Sequence, residues 1–322
     1  MENEIIYKET NQSESKNYLK LLLKYYKNFG LSNKSIEWEY YLNPFGKAKV
    51  FVAEYKNELI GLIVNIPLKF QNNTKTYTGF RAQDLLTDIH FIRKEIRAGF
   101  KIPRKEGMGI CLNLMKISND FLDKNTDINI GFPNEKSLPF FEKTKWEGLC
   151  EIPLLLKNVN NDDKFKLKYN LINKFKNIHE EIWQKNIGNK LDIIRTKEYL
   201  NWRYFLNPKS KYKIFEIKNN VKIIGYVVLK EHLLENNTMI GHICELVCEE
   251  NYIKDVIKFA INHFSNFSIK NFTMWMADKE HLFLNDLGFK KIILKNRKFI
   301  YRGKKNLNKT DWNLSMSFSD VY

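Results

Sequence analysis

The 322 residues, of which 43% are hydrophobic and 28% charged, predict a folded chain long enough for about two domains of ~150 residues. Seven Pro and 14 Gly exclude collagen-like and low-complexity chains, and no apolar run approaches the ~20 residues of a membrane helix. The net charge of +16 comes mainly from Lys spread along the whole chain, which is typical of a solvated surface. It leaves open an anionic small ligand such as a coenzyme phosphate, and also a nucleic acid or a membrane surface.

Cysteine and histidine usage excludes other chemistry. The four Cys residues form no CxxC pair, so we expect reduced thiols and no disulfide framework. None of the six His residues has the spacing of a zinc site, so no metal is expected. Residues 1–4 are acidic and lack the cationic and apolar regions of a secretory signal, and we therefore expect a cytoplasmic protein.

The predicted elements follow one order in both halves of the chain. A helix that carries a Trp ends at Asn-Pro, because proline ends a helical run. A strand, a polar turn and a second strand follow, and then a further strand, a helix, a strand and a short helix. In the first half the predicted ranges are 49–55, 59–67, 80–87, 107–123, 127–132 and 138–146. In the second half they are 212–218, 221–230, 242–248, 252–264, 271–276 and 279–289.

The two halves also share a sequence motif. WEYYLNP at 38–44 returns as WRYFLNP at 202–208, an offset of 164 residues, and LIG at 59–61 keeps the same offset to IIG at 223–225. A match that stays in register through two motifs indicates an internal duplication. We predict a first domain at 1–156, a linker or peripheral segment at 157–178, a second domain at 179–304 and a tail at 305–322 that packs on the body.

A glycine-containing run, RKEGMG at 104–109, lies between a predicted strand and a predicted helix. Gly107 and Gly109 would let backbone N–H groups approach a ligand closely, and the helix N-terminus adds partial positive charge. The run therefore predicts a pyrophosphate site. A helix-entry loop without a ligand is the alternative.

With GFPN at 131–134, FFEKTKW at 140–146 and FLNDLGF at 283–289, the sequence resembles the GNAT acyltransferase superfamily. The paired WxYxLNP helices, the GFPN run and the tail at 312–322 are similar to tandem-GNAT proteins of bacterial surface-polysaccharide and amino-sugar pathways. The resemblance covers nearly the whole chain. It implies an α/β fold of two tandem GNAT domains, each with a mixed, mainly antiparallel central sheet flanked by helices.

The resemblance also implies roles for particular residues, with acetyl-CoA or another acyl-coenzyme A as co-substrate and no metal. Backbone groups of Leu85, Leu86 and Thr87 would hold the pantetheine and the thioester carbonyl. Asn134 would contact coenzyme or an ordered water. The pyrophosphate would lie on the loop residues Arg104, Lys105, Glu106, Gly107, Met108 and Gly109.

Three departures from the family pattern stand out. Residues 90–103 are inserted between the strand and the loop. Phe141, and Leu284 in the second copy, occupy the place of the Tyr that often protonates the departing thiolate. The second copy has VCEENY at 247–252, which lacks glycine and carries two acids where phosphate would lie. Only the first copy is therefore expected to bind coenzyme.

The reaction implied is direct attack of an amine on a thioester, which needs a proton acceptor. Asp84 is the candidate base or acceptor anchor, and Glu245 is the candidate acceptor contact at the domain interface. A carboxylate in an apolar strand is costly unless it is paired or used. The alternative is that each acid ties down a neighbouring Arg or backbone group.

Other side chains have two interpretations. Trp38 and Trp202 fit core packing or a stacking surface for the acceptor. Tyr40, Tyr204 and His90 fit the acceptor cleft or packing, and the C-terminal carboxylate of Tyr322 is a further candidate base.

The function expected is transfer of an acyl group, acetyl first, to the amino group of an amino sugar, a nucleotide-sugar or a similar small metabolite. No membrane span is expected, nucleic acid is not the favoured partner, and the oligomeric state stays open. Two rivals stay open as well: a Fem-like transferase that uses aminoacyl-tRNA, and a non-catalytic tandem-GNAT binding protein.

Overall fold

The computed structural model describes residues 4–26, 31–97, 106–152, 154–159, 167–234, 236–267, 269–276, 282–294 and 297–319. The chain forms two compact units, and neither is contiguous in sequence. The first consists of Met1–Phe70, Tyr77–Leu149 and Asn296–Asn306, and the second of Gln71–Thr76, Cys150–Lys295 and Leu307–Tyr322. Within the described ranges no helix combines the length and the apolar composition that crossing a membrane requires.

A mixed, mainly antiparallel sheet forms the centre of the first unit. Its strands are β1 (Ile6–Thr10), β2 (Lys49–Tyr55), β3 (Glu58–Gln71), β4 (Thr76–Thr87), β5 (Ile128–Gly131), β6 (Glu147–Glu151) and β15 (Lys298–Gly303). Their spatial order is β1-β2-β3-β4-β5-β15-β6. β4 and β5 run parallel, whereas β1–β2, β2–β3 and β5–β15 are antiparallel.

Helices cover both faces of this sheet. They are α1 (Ser15–Tyr25), α2 (Asn33–Ile36), α3 (Ile89–Arg97), α4 (Glu106–Asn125) and α5 (Leu138–Lys143). The alternation along β2 explains the two cores, because successive side chains of a strand point to opposite faces. Phe51 and Ala53 pack in the cluster that includes residues of α4. Val50 and Val52 pack in the cluster that includes residues of α1.

Each copy of the repeated Trp motif forms a π-helical turn, Glu37–Tyr41 in the first unit and Asn201–Phe205 in the second. The amides of Leu42 and Leu206 each donate at 3.0 Å to the carbonyl five residues earlier. Trp38 and Trp202 are both only 4% exposed. Both therefore contribute to core packing, and neither presents a stacking surface.

The second unit repeats the architecture around its own sheet. The strands of this sheet are β7 (Leu154–Asn158), β8 (Lys168–Leu171), β10 (Lys213–Asn219), β11 (Lys222–Leu233), β12 (Met239–Cys248), β13 (Asn271–Trp275) and β14 (Lys290–Ile292), and the short strand β9 (Asp192–Ile193) is not part of it. The sheet order is β14-β7-β13-β12-β11-β10-β8. The helices are α6 (Asn177–Asn186), α7 (Lys197–Leu200), α8 (Ile253–Asn266) and α9 (Leu282–Asp286).

Three strands depart from the contiguous domains that the sequence predicts. β15 belongs to the sheet of the first unit, although the prediction assigns it to the second domain at 179–304. β7 lies in the sheet of the second unit between β14 and β13, and β8 forms a strand inside the predicted linker at 157–178. Local hydrophobic pattern identifies a strand but not its distant partner, which is why the boundaries differ.

The described part of the tail belongs to the second unit. Trp312 is 1% exposed, and Met316 and Phe318 are fully buried. The amide of Leu191 donates to the carbonyl of Asp311 at 2.6 Å. Tyr322, the candidate carboxylate base, lies outside the described residues.

Candidate functional site

The strand β4 has an irregular backbone at Asp84, just beyond its pairing with β5. Its parallel pairing with β5 extends only from Gly79 to Ala82. Asp84 has φ +53°, in the left-handed region that Asp tolerates better than most residues. Because β5 ends at Gly131, the backbone of residues 85–87 continues without a β5 partner. The resemblance to the GNAT superfamily predicts that this stretch holds the thioester.

Two neutral donors hold the Asp84 carboxylate by one oxygen. The Tyr40 hydroxyl donates to Oδ2 at 2.6 Å, and Nε2 of Gln83 donates to the same atom at 3.1 Å. Tyr40 is 2% exposed. Burial, together with the charge of Asp84, raises the pKa of Tyr40 well above its usual value, so the hydroxyl remains a donor at neutral pH.

Sequence reasoning missed a buried ion pair behind this carboxylate. Arg81 Nη2 lies 3.0 Å from Glu39 Oε1, and both side chains are 3% exposed. The same guanidinium donates through Nε and Nη2 to Oε1 of Gln83, at 3.1 and 2.8 Å. The signal in the sequence is a pair of opposite charges inside two otherwise apolar stretches.

The start of α4 lies close to the end of β4. Thr87 Oγ1 and Cys111 Sγ are 2.7 Å apart and buried, which ties the strand to the second turn of the helix. α4 begins at Glu106, so Gly107 and Gly109 lie in its first turn and not in a preceding loop. The first four N–H groups of a helix have no intrahelical acceptor, so this turn still offers donors to an anion. Arg104 and Lys105 lie outside the described residues, as do the side-chain surroundings of 106–108.

Asn134 and Phe141 have local structural roles. The amides of Lys136 and Ser137 each donate at 3.0 Å to Oδ1 of Asn134, whose exposed side chain shapes the turn before α5. Phe141 is 3% exposed and packs edge-on against Trp146, with ring centroids 5.2 Å apart. Phe141 thus occupies a core position. The coenzyme role of Asn134 stays a prediction.

Part of the inserted segment at 90–103 is the helix α3. Asp88 precedes it and accepts from the amide of Phe91 at 3.1 Å. Asp88 also accepts from Lys24 at 2.5 Å and from the Tyr25 hydroxyl at 2.9 Å. Burial raises the pKa of Asp88, but these hydrogen bonds outweigh it and hold that pKa below its usual value. His90 is exposed and stacks on Tyr25, with ring centroids 6.0 Å apart.

Glu245 occupies the corresponding position in the second unit and is 2% exposed. Arg195 Nε donates to its Oε1 at 2.6 Å. The Tyr226 hydroxyl donates to the same oxygen at 3.0 Å, and the Tyr204 hydroxyl donates to Oε2. Arg195 also pairs with Asp192 at 3.0 Å. These contacts favour the alternative in which Glu245 pairs with a neighbouring Arg, and they do not favour a contact between Glu245 and an acceptor.

The two units thus repeat an acid–tyrosine pair with different surroundings. Tyr40 and Tyr204 occupy equivalent positions of the Trp motif, and each donates to the acid of its own unit. In the second unit a guanidinium contacts the carboxylate directly. In the first unit the side chain of Gln83 lies between the guanidinium and the carboxylate.

The start of α8, the counterpart of α4, is preceded by acids. Glu249 pairs with Lys222 at 2.7 Å, and Glu250 opens the short 3₁₀ turn Glu250–Tyr252 before the helix. Two carboxylates at this helix entrance oppose a phosphate electrostatically. Over the described part of the chain, no group of three or more His, Cys, Asp or Glu side chains could hold a metal ion.

Several solved structures are similar to the chain. A GCN5-related N-acetyltransferase from Anabaena variabilis is 14% identical, with a TM-score of 0.66 over 93% of this chain and 73% of that one. A tandem GNAT protein from the clavulanic acid biosynthesis pathway is 9% identical, with a TM-score of 0.55 over 94% and 100%. Saccharomyces cerevisiae N-myristoyltransferase with bound myristoyl-CoA is 13% identical, with a TM-score of 0.57 over 98% and 87%. No family model and no curated protein matches the sequence.

These likenesses show the fold. Together with the two sheets and their helices, they confirm the predicted α/β architecture of two GNAT domains in tandem.

We expect Glu245→Gln to lower the free energy of unfolding by about 3 kcal/mol, because it leaves the buried Arg195 without one of its anionic partners. Glu249→Gln is the matched control. It removes the carboxylate of an exposed pair near the end of the same strand and should cost less than about 1 kcal/mol. Urea unfolding at neutral pH measures both. Equal stability of the two variants would contradict the structural role of Glu245.

Proposed function

We propose that the protein is an acyl-coenzyme A-dependent N-acyltransferase whose first unit holds the coenzyme. The observation that carries this proposal is the Asp84 carboxylate, held where β4 leaves β5 and next to the backbone of residues 85–87. The GNAT fold supports it. So does the similar Saccharomyces cerevisiae N-myristoyltransferase, whose structure contains bound myristoyl-CoA.

The coenzyme would bind through backbone groups in this unit. Residues 85–87 offer N–H and C=O groups beyond the end of β5 to the pantetheine and the thioester carbonyl. The first turn of α4 offers N–H groups and the positive end of the helix dipole to the pyrophosphate. Arg104 and Lys105, which directly precede this turn in sequence, would add positive charge.

The chemistry is direct transfer. Asp84 accepts a proton from the acceptor ammonium, and the free amine nitrogen attacks the thioester carbonyl carbon. Backbone N–H groups stabilise the oxyanion that forms. The C–S bond then breaks, the nitrogen releases its second proton to water as the amide forms, and the coenzyme leaves as a thiolate. Because Phe141 is buried and carries no proton to give, the thiolate takes its proton from water.

The acceptor is proposed as a small molecule with a primary amine, in the first place an amino sugar or a nucleotide-sugar of a surface-polysaccharide pathway. This choice depends on the resemblance of the paired Trp motifs and the GFPN run to those of tandem-GNAT proteins in bacterial surface-polysaccharide and amino-sugar pathways. A cytoplasmic location stays a prediction. The second unit is proposed to bind no coenzyme, because acids precede α8 and Arg195 neutralises Glu245.

Isothermal titration with acetyl-CoA tests the donor site. We expect micromolar binding by the native chain and at least a tenfold loss in Gly107→Glu/Gly109→Glu, because two carboxylates then face the pyrophosphate. Lys124→Gln/Asn125→Glu makes the same change in net charge at exposed positions on the far end of α4 and should bind normally. Failure of the native chain to bind acetyl-CoA and longer acyl-coenzyme A species would contradict the proposal.

A free-thiol assay with amino-sugar and nucleotide-sugar acceptors tests the role of Asp84. We expect Asp84→Asn to lower kcat by about 10²–10⁴-fold, since the amide accepts no proton, while the affinity for acetyl-CoA changes little. Asp120→Asn, at an exposed position of α4, is the matched control. An Asp84→Asn protein with the native kcat at every pH would exclude Asp84 as the base.

A further inference from the structure

A basic cluster, formed by Lys230, His232, His242 and Thr273, lies on the sheet of the second unit. Leu229 packs in the core cluster that includes residues of α8. Because successive side chains of a strand point to opposite faces, Lys230 and His232 lie on the face away from α8. His242 is directly opposite Lys230 on β12, and Thr273 pairs with His242 on β13. Three adjacent strands thus place these side chains next to one another.

The two imidazoles of the basic cluster are close together. The ring centroids of His232 and His242 are 6.0 Å apart. Nδ1 of His242 lies 2.8 Å from Oγ1 of Thr273, which holds that ring in place. His232 is exposed, Lys230 is half-buried and His242 is 8% exposed. The cluster is therefore open to solvent at His232 and closed towards His242.

The first unit carries apolar residues at two of these positions. The offset of 164 residues aligns Lys230 with Ile66 and His232 with Leu68, and the preceding hairpin has the same register in both units. Ile66 is fully buried and Leu68 is 2% exposed. The second unit thus has bases where the first unit has core residues. A half-buried cation costs free energy unless it is paired or used.

The acid between the two bases of β11 points away from them. Glu231 pairs with Lys213 on the opposite face of the sheet. Over the part of the chain that the structure describes, neither Lys230 nor His232 pairs with a carboxylate. The Nζ atom of Lys230 lies 5.9 Å from the ring centroid of Tyr212. The described chain therefore supplies no counter-ion to these two bases.

Further cations act on Lys230. Burial lowers the pKa of Lys230 below its usual value, and the charges of Arg203 and Lys209 lower it further. Burial also lowers the pKa of His242 to about 3, and Lys230 and His232 add to that effect. Each base thus opposes the protonation of its neighbours. A bound anion would act on them in the opposite sense.

We propose that the basic cluster binds a phosphate group, either as free phosphate or as part of a small molecule. A phosphate group carries several strong acceptor oxygens together with negative charge. The Lys230 ammonium is a compact donor, and an imidazole keeps at least one N–H donor in either protonation state. A metal ion does not fit, because Lys230 would repel it.

This site differs from the proposed coenzyme site and goes beyond the proposed function. The counterpart of the coenzyme loop precedes α8, which packs on the other face of the sheet. The basic cluster would bind phosphate whether or not the first unit transfers an acyl group.

Imidazole NMR of the whole chain at a fixed neutral pH and constant ionic strength tests the site. The probes are inorganic phosphate, glucose 1-phosphate and glucose, none of which has an amine or a thioester. We expect both phosphates, but not glucose, to shift the ring signals of His232 and His242. The variants His232→Leu and His242→Gln assign these signals, and the signal of His90 in the first unit should not move.

The dissociation constants from the same signals test the role of Lys230. Lys230→Ile installs the residue of the first unit, and we expect it to weaken binding of both phosphates at least about tenfold, because a charge-assisted hydrogen bond is lost. Lys185→Met removes one positive charge at an exposed position of α6 and should bind as the native chain does. If Lys230→Ile fails to fold, Lys230→Met, which keeps a long unbranched side chain, replaces it.

The two phosphates also distinguish the source of the group. Binding of glucose 1-phosphate at least about tenfold tighter than inorganic phosphate would assign the site to a phosphorylated small molecule. Equal or tighter binding of inorganic phosphate would assign it to free phosphate. Ring signals that neither phosphate moves, an equal shift with glucose, or an unchanged dissociation constant in the Lys230 variant would overturn the proposal. None of these results depends on acyl transfer, so the proposed function stands or fails separately.

Discussion

A carboxylate inside a β-sheet protein must find hydrogen-bond donors, and the choice of donor decides whether it can still take up a proton. Each GNAT unit places such an acid on the strand that follows its hairpin, and each uses the tyrosine of its Trp motif as one donor. Each of these tyrosines lies in a π-helical turn, and one Leu separates each turn from the Asn-Pro sequence that follows. The rest of the site is arranged around this pair.

Duplication followed by divergence explains the difference between the units. Glu39 and Arg203 occupy the same position of the repeated motif with opposite charge, so the units cannot share one ion-pair pattern. In the first unit Glu39 binds Arg81, and Asp84 accepts hydrogen bonds from Tyr40 and Gln83. In the second unit Arg195 reaches Glu245 directly, and acids precede the helix that corresponds to α4. The two units therefore share a framework and differ in the charges around the acid.

The sequence predicts the order of elements well because the repeat and the alternating pattern are local signals. It also identifies Asp84 and Glu245 as acids whose burial costs free energy. It cannot predict that Arg195 pairs with Glu245, because the two residues lie 50 positions apart in sequence. The predicted boundaries place β15 in the second domain and divide β7 between the first domain and the linker, because the partners of these strands are distant in sequence. The sequence gives no signal for the contacts of Gln83, because a single amide has no periodicity. Its hydrogen bonds with Arg81 and Asp84 are visible only in the structure.

The central claim is that the first unit alone holds acyl-coenzyme A, along the end of β4 and the first turn of α4. Amide hydrogen exchange with and without acetyl-CoA tests it most directly, because every described segment reports in one experiment. The account predicts slower exchange at residues 85–87 and 106–109, with no change at 246–248 or at the start of α8. Slower exchange in the second unit, or none at 85–87 under saturating coenzyme, would contradict it.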